Sequence, residues 1–177
     1  MLLIGKRASV LTRLAEALGA QGIEADRVDE PPPAAPDGSY DVVAFGRAVK
    51  ATDRERVRKS LSDSDPDVVF VDGYAPIIPL LVAQFEQALD RRPLGRRAIV
   101  DAAVRGGIVD IEFRVPCRLK ITVYRLDTFY RTHEKTLFDR DVEAGAHSAA
   151  LGPRTLRARN AFVVIRAGDE TAALPVG

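Results

Sequence analysis

Val109-Asp110-Ile111-Glu112-Phe113-Arg114-Val115 alternates apolar and charged side chains without a break. A strand turns successive side chains to opposite faces, so this stretch is a half-buried strand with its charges on the solvent side. Leu119, Ile121 and Val123 repeat the pattern, and Pro116-Cys117-Arg118 reads as the turn between the two strands. Further strand candidates are residues 98–104, 130–138, 147–151, 161–166 and 171–176, punctuated by Gly106-Gly107, Ala144-Gly145, Leu151-Gly152-Pro153 and Ala167-Gly168-Asp169. Seven short strands separated by such turn signals predict an antiparallel Ig-like β-sandwich in the C-terminal half.

Upstream of Leu89 the periodicity is different. Leu2-Leu3-Ile4 is a short apolar run closed by Gly5, and Val10, Leu11, Leu14, Ala17 and Leu18 then recur at helical spacing. Ser9 is the expected N-cap of that helix, and Gly19 or Gly22 its left-handed C-terminal residue. Residues 22–25 read as a second strand, and the run Pro31-Pro32-Pro33 with its following Pro and Gly residues excludes a regular helix before Tyr40. Residues 40–46 and 67–73 form two continuous apolar runs of the kind buried on both faces of a parallel sheet. Between them, residues 52–62 predict an exposed helix with Val57 and Leu61 inward. Pro79 opens a helix over 80–89 with Leu81, Phe85 and Leu89 on one stripe.

Strands alternating with helices require right-handed crossovers. The N-terminal half is therefore expected to be a doubly wound, Rossmann-like or flavodoxin-like parallel sheet in the order 2-1-3-4. Its fourth strand would be an open edge, to be covered by the C-terminal half or by a second copy of the chain. The polar stretch Asp90-Arg91-Arg92-Pro93-Leu94-Gly95-Arg96-Arg97 reads as a linker. Residues 1–95 hold 12 basic and 15 acidic side chains and residues 96–177 hold 14 and 10, a shift that places the boundary near Leu94. The expected domains are thus an α/β domain over 1–93 and a sandwich over 97–177.

With 46% hydrophobic and 29% charged residues, the chain has ample material for a buried core and is not of the disordered class. Its formal charge of +1 supplies no long-range field for nucleic acid or an anionic membrane. No apolar run approaches the roughly 18 to 20 residues that span a bilayer, and Met1–Gly5 meets Lys6 and Arg7 too soon for a signal peptide. The expected location is the cytoplasm. The single cysteine, Cys117, fits a reducing compartment and reads as a packed or half-exposed thiol. Five Lys against 21 Arg, with abundant Ala and Val, point to the codon usage of a GC-rich bacterial genome.

Gly5, Lys6, Arg7 and Ser9 lie where a doubly wound sheet presents backbone N–H groups to anions, at a strand's carboxyl end and a helix N-terminus. Gly46, Arg47 and Asp72 end two other strands at the same rim, so these seven residues form a candidate nucleotide-binding rim, with Asp26 or Asp29 at the distance of a ribose acid. Gly-x-Gly-x-x-Gly is absent, and Asp72 also reads as a loop residue capping the following helix. His133 and His147, the only two histidines, have no carboxylate or cysteine at metal-ligand spacing, so no metal site is expected. His133 and Glu134, as strand neighbours, point to opposite faces, and His133 reads as solvent-facing. Ser9, Ser60, Ser62 and Ser64 lack the Gly-x-Ser-x-Gly elbow of a hydrolase.

Residues 121–138, with Val142-Glu143-Ala144-Gly145-Ala146-His147-Ser148 and residues 161–168, resemble Ig-like modules of the flagellar hook-cap type. There a strand pair precedes an Ala-Gly-x-His turn. The likeness covers about the last third of the chain and implies fold only, and Ala149-Ala150-Leu151 stands where a Trp-Asp-Gly usually follows. In order of elements the N-terminal half resembles a response-regulator receiver. That family places acidic Mg²⁺ ligands after its first strand and a phospho-acceptor Asp at the end of its third; here those places hold Gly5-Lys6-Arg7 and Phe45-Gly46, so phosphotransfer is not implied. The sequence thus points to a non-catalytic binding or assembly module acting through a protein partner or as a homodimer. Its alternative is a nucleotide-dependent enzyme or sensor, most plausibly using NADPH on Lys6 and Arg7.

Overall fold

The computed structural model describes residues 1–31 and 39–176, so the Pro and Gly run over 32–38 lies outside the described residues. The chain is of mixed α/β class, with a four-stranded parallel sheet followed by antiparallel sheets, and it divides into two compact units, Met1–Leu89 and Asp90–Gly177.

In the first unit, β1 (Leu2–Ile4), β2 (Asp26–Val28), β3 (Val42–Phe45) and β4 (Val69–Asp72) pair in the order β2-β1-β3-β4, all parallel. Alternation sorts their side chains to two cores. Leu3, Val42, Ala44 and Val71 pack with Leu11, Leu14 and Leu18 of α1 (Ala8–Gly19) and Leu81, Val82 and Phe85 of α3 (Ile78–Leu89). Leu2, Ile4, Val43 and Phe45 pack instead with Val57 and Leu61 of α2 (Ala51–Ser64). Covering both faces is what removes polar residues from β1 and β3.

Two local expectations are corrected here. Ser9 is not an N-cap: the helix begins at Ala8, Arg7 precedes it with extended backbone and no side-chain cap bond, and the Arg7 carbonyl accepts from Val10 and Leu11. The second strand is Asp26–Val28 rather than 22–25. Gly22 has φ +78° and Ile23 N–H still bonds to the Leu18 carbonyl, so these residues close α1 before the chain can extend.

The second unit contains β5 (Ile99–Arg105), β6 (Ile108–Phe113), β7 (Cys117–Leu126), β8 (Thr132–Val142), β9 (Gly145–Ala150), the one-turn helix α4 (Pro153–Leu156), β10 (Ala161–Ala167) and β11 (Glu170–Pro175). They form two antiparallel sheets, β5-β6-β9 and β11-β10-β7-β8. Val109, Ile111 and Phe113 from the first meet Leu119, Ile121, Val123, Val163 and Ile165 from the second in one core. Pro116-Cys117-Arg118 is therefore not a hairpin turn. β6 and β7 belong to different sheets, and Cys117 already begins β7, its half-buried thiol pushed up in pKa by burial and then by Glu170 and Asp141.

Residues 90–97 are tied down rather than a free linker. Arg92 donates to Asp90 and to Asp169 (2.9 Å each), and Arg97 donates to the carbonyls of Asp90 (2.9 Å) and Arg92 (3.2 Å). The Arg92 guanidinium holds the Asp90 carboxyl below its ordinary value against the opposing effect of burial. Glu170, only 3% exposed at the start of β11, accepts from Ala98 N–H at 2.6 Å and Ile99 N–H at 2.9 Å. One buried carboxylate thus joins the entry of β5 to the other sheet.

Candidate functional site

The N-terminal rim is built by backbone approach. Gly46 N–H bonds to the Ile4 carbonyl (2.8 Å) and Gly73 N–H to the Phe45 carbonyl (2.9 Å), continuing the ladder past the strand ends. A Cβ on Gly46 would stand 3.4 Å from Gly5 Cα, which accounts for two of the glycines there by close packing. Lys6, Arg7, Ser9 and Arg47 are exposed on the same rim.

Asp72 does not cap the helix that follows it. It accepts from Arg54 Nη1 at 3.0 Å and from Arg58 Nη2 at 2.7 Å, both reaching over from α2. Arg54 also donates to the carbonyls of Val49, Gly46 and Arg47 (3.1, 3.2 and 3.2 Å), and Arg58 lies 5.4 Å from the Phe45 ring centroid and 5.8 Å from that of Phe70. The carboxylate assigned to the rim site is thus engaged by two arginines of its own unit. Asp26, the ribose-acid candidate, accepts from the Tyr40 hydroxyl at 3.1 Å; burial and then Asp26 raise the Tyr40 pKa.

The second unit holds a different constellation. The β7–β8 connection is a tight loop organised by Asp127, whose Oδ1 accepts from Phe129 N–H and Arg131 N–H, both at 2.9 Å. Its Oδ2 accepts from His133 Nε2 at 3.0 Å, so the imidazole carries a proton on that nitrogen. Asp127 N–H and Tyr130 N–H close the loop on the Arg131 and Asp127 carbonyls. His133, expected to face solvent and 43% exposed at its side chain, also positions this loop through that bond. These contacts hold the Asp127 carboxyl below its ordinary value, the His133 bond contributing most. His147, by contrast, donates to the Glu143 carbonyl at 2.8 Å within its own hairpin.

What this loop holds out is apolar. Phe129 is 79% and Tyr130 73% exposed, and Tyr130 is the one non-glycine residue with positive φ (+59°) among the described residues. A bulky residue in the left-handed region costs of order 1–3 kcal/mol, tolerated only where surrounding bonds over-determine it. The Arg131 guanidinium lies 5.8 Å from the Phe129 ring centroid.

Beside the loop, β7, β8 and α4 enclose an open cavity of about 440 Å³ lined by Val123, Arg125, His133, Glu134, Lys135, Leu137 and residues 152–155. His133 is shared by cavity wall and loop. A register shift between Ile121 and Thr122 inserts Leu137 as an extra residue in β8 opposite β7. His133 and Glu134, in the regular register beyond the bulge, pair with Arg125 and Tyr124 and so lie on opposite faces as expected, although both residues border the cavity.

The strand expected over 130–138 takes in Tyr130 and Arg131, which the structure places in the loop before β8 (Thr132–Val142). The Asp two residues before Phe129 was the available signal, since Asp readily accepts from the N–H two positions on. Among the described residues no group of three His, Cys, Asp or Glu could hold a metal, and no helix is long and apolar enough to cross a membrane. No protein-family model matches the chain, and a search of curated proteins returns no significant match.

Proposed function

We propose that the protein is a non-catalytic binding module that docks onto a protein partner through the Phe129–Tyr130 loop of its second unit. The observation that carries this reading is the exposure of two adjacent aromatics, 79% and 73%, on a loop fixed by three hydrogen bonds to one carboxylate. Aromatic side chains on a pre-ordered loop lose little entropy on binding, which is why they dominate interface energetics. Arg131 beside Phe129 matches a partner recess rimmed by carboxylates.

The finer architecture of this reading is a flavodoxin-like, receiver-like α/β scaffold followed by an Ig-like sandwich. Support for the sandwich comes from connectivity. Lettering β5–β11 as A–G, the sheets are A-B-E and G-F-C-D, which differs from the immunoglobulin constant arrangement only in D pairing with C rather than E. Support for the scaffold comes from the 2-1-3-4 order with α1 and α3 on one face and α2 on the other. A nucleotide on the rim is the second reading, favoured by Lys6 and Arg7, which are exposed and whose side chains have no hydrogen-bond or ion-pair partner among the described residues. Thermal stabilisation by NADPH that disappears in a Lys6→Ala, Arg7→Ala variant is its test.

The docking reading is tested by replacing Phe129 with a photo-crosslinking benzoyl-phenylalanine in the full chain. Expected is a discrete adduct that is lost when Tyr130→Ser and Arg131→Glu are added, with sedimentation velocity deciding whether the partner is a second copy. Absence of any adduct, or an adduct indifferent to both substitutions, overturns it.

A further inference from the structure

The cavity beside the loop carries a second inference, independent of the docking reading. Several arginines of this protein are engaged internally: Arg54 and Arg58 with Asp72, Arg92 with Asp90 and Asp169, Arg118 with Asp139. Arg125, Lys135 and Arg154 border the cavity, and none of their side chains has a hydrogen-bond or ion-pair partner among the described residues. Glu134 is the one acidic residue among those bordering the cavity, so three cations against one carboxylate leave a surplus of two positive charges. The lining also includes the apolar side chains of Val123 and Leu137, both part of the core of the unit.

Cavities of roughly 300 to 1,000 Å³ suit small organic ligands, and this one is about 440 Å³. An inorganic anion would leave the apolar walls wet, and a neutral hydrocarbon would leave the cations without a counter-charge. We infer that the cavity binds a small organic anion with a single charged head and an apolar body, the head among Arg125, Lys135 and Arg154 and the body against Val123 and Leu137. An acyl carboxylate and an aryl phosphate share this chemistry.

The test uses the full chain and the fluorescent probe 1-anilinonaphthalene-8-sulfonate, itself a single-headed anion on an apolar body. Expected is saturable 1:1 binding to protein that still melts cooperatively, weakened at least tenfold in Lys135→Glu and in Arg154→Glu, and unaffected by the distant charge reversal Arg105→Glu. Both altered residues are exposed, so the variants keep the fold; a Leu137→Trp variant that fills the cavity is expected to abolish binding if it folds. Displacement by decanoate or by naphthyl phosphate separates the two ligand classes. Non-saturable binding, equal binding by all variants, displacement by neither anion, or decanol displacing as well as decanoate overturns the inference.

Discussion

Removal of the Glu170 carboxylate is the sharpest test of how the second unit is held together. Glu170 is 3% exposed and accepts from Ala98 N–H and Ile99 N–H at 2.6 and 2.9 Å, linking the entry of β5 to the first residue of β11. A hydrogen bond to a charged group contributes about 1.5–3 kcal/mol, and a buried donor left unpaired costs about 1–3 kcal/mol. Ala98 and Ile99 are half-buried, so water replaces part of each lost bond and the lower figures apply. Glu170→Ala should therefore cost about 3 kcal/mol. Glu170→Gln keeps one acceptor oxygen but turns an amide N–H₂ toward the other donor, and should cost about half as much. Urea unfolding gives the totals, and hydrogen exchange read by mass spectrometry gives the place: protection should fall first at Ala98–Ile99 and along β5. A loss below about 0.5 kcal/mol for both variants, or protection falling evenly over the unit, would refute the assignment of Glu170 as the tie between the sheets.

The first unit makes a steric prediction: a Cβ on Gly73 would stand 2.9 Å from Leu81 Cδ2 and 3.4 Å from the Phe45 carbonyl oxygen. Gly73→Ala should accordingly destabilise by about 1–3 kcal/mol in urea titration, whereas an alanine at Gly95, with nothing within 4 Å, should be nearly silent. At the rim, Asp72 is 45% exposed, so Asp72→Ala should cost no more than about 1 kcal/mol, while Arg54→Ala, which also releases three carbonyls, should cost more; the reverse order by thermal melting would be inconsistent with the geometry. The Asp127 carboxyl, held below its ordinary value by His133 and the loop N–H groups, contributes stability that is present above its unfolded pKa of about 3.9 and is lost as pH falls through the lower folded value. The Phe129 and Arg131 amides should thus remain slow to exchange at pH 5 and become labile only in that lower acid range, and Asp127→Asn should loosen them already at neutral pH.

The fold was legible wherever one residue's neighbours in sequence were also its neighbours in space. Period-2 alternation located β6 and β7, and continuous apolar runs located β1, β3 and β4, because burial on one face or on both writes those patterns directly. What the patterns omit is pairing. Nothing local states that the chain changes sheet between Phe113 and Cys117, since a turn and a crossover use the same proline and the same polar flank. The surroundings of Asp72 were illegible for a related reason. Asp72 ends its strand at a position that also suits a ligand contact or a helix cap, and Arg54 and Arg58, 18 and 14 residues earlier, decide otherwise by reaching it from α2. Charge counting could not separate engaged from unengaged cations, because Arg54 and Arg154 are the same residue until their surroundings are known. The carboxylate of the glycine rim is engaged, and that distinction is what directs our proposals to the β7–β8 end of the second unit. There Arg125, Lys135 and Arg154 are unpaired, and a strained Tyr130 is held in the open at the expense of backbone energy.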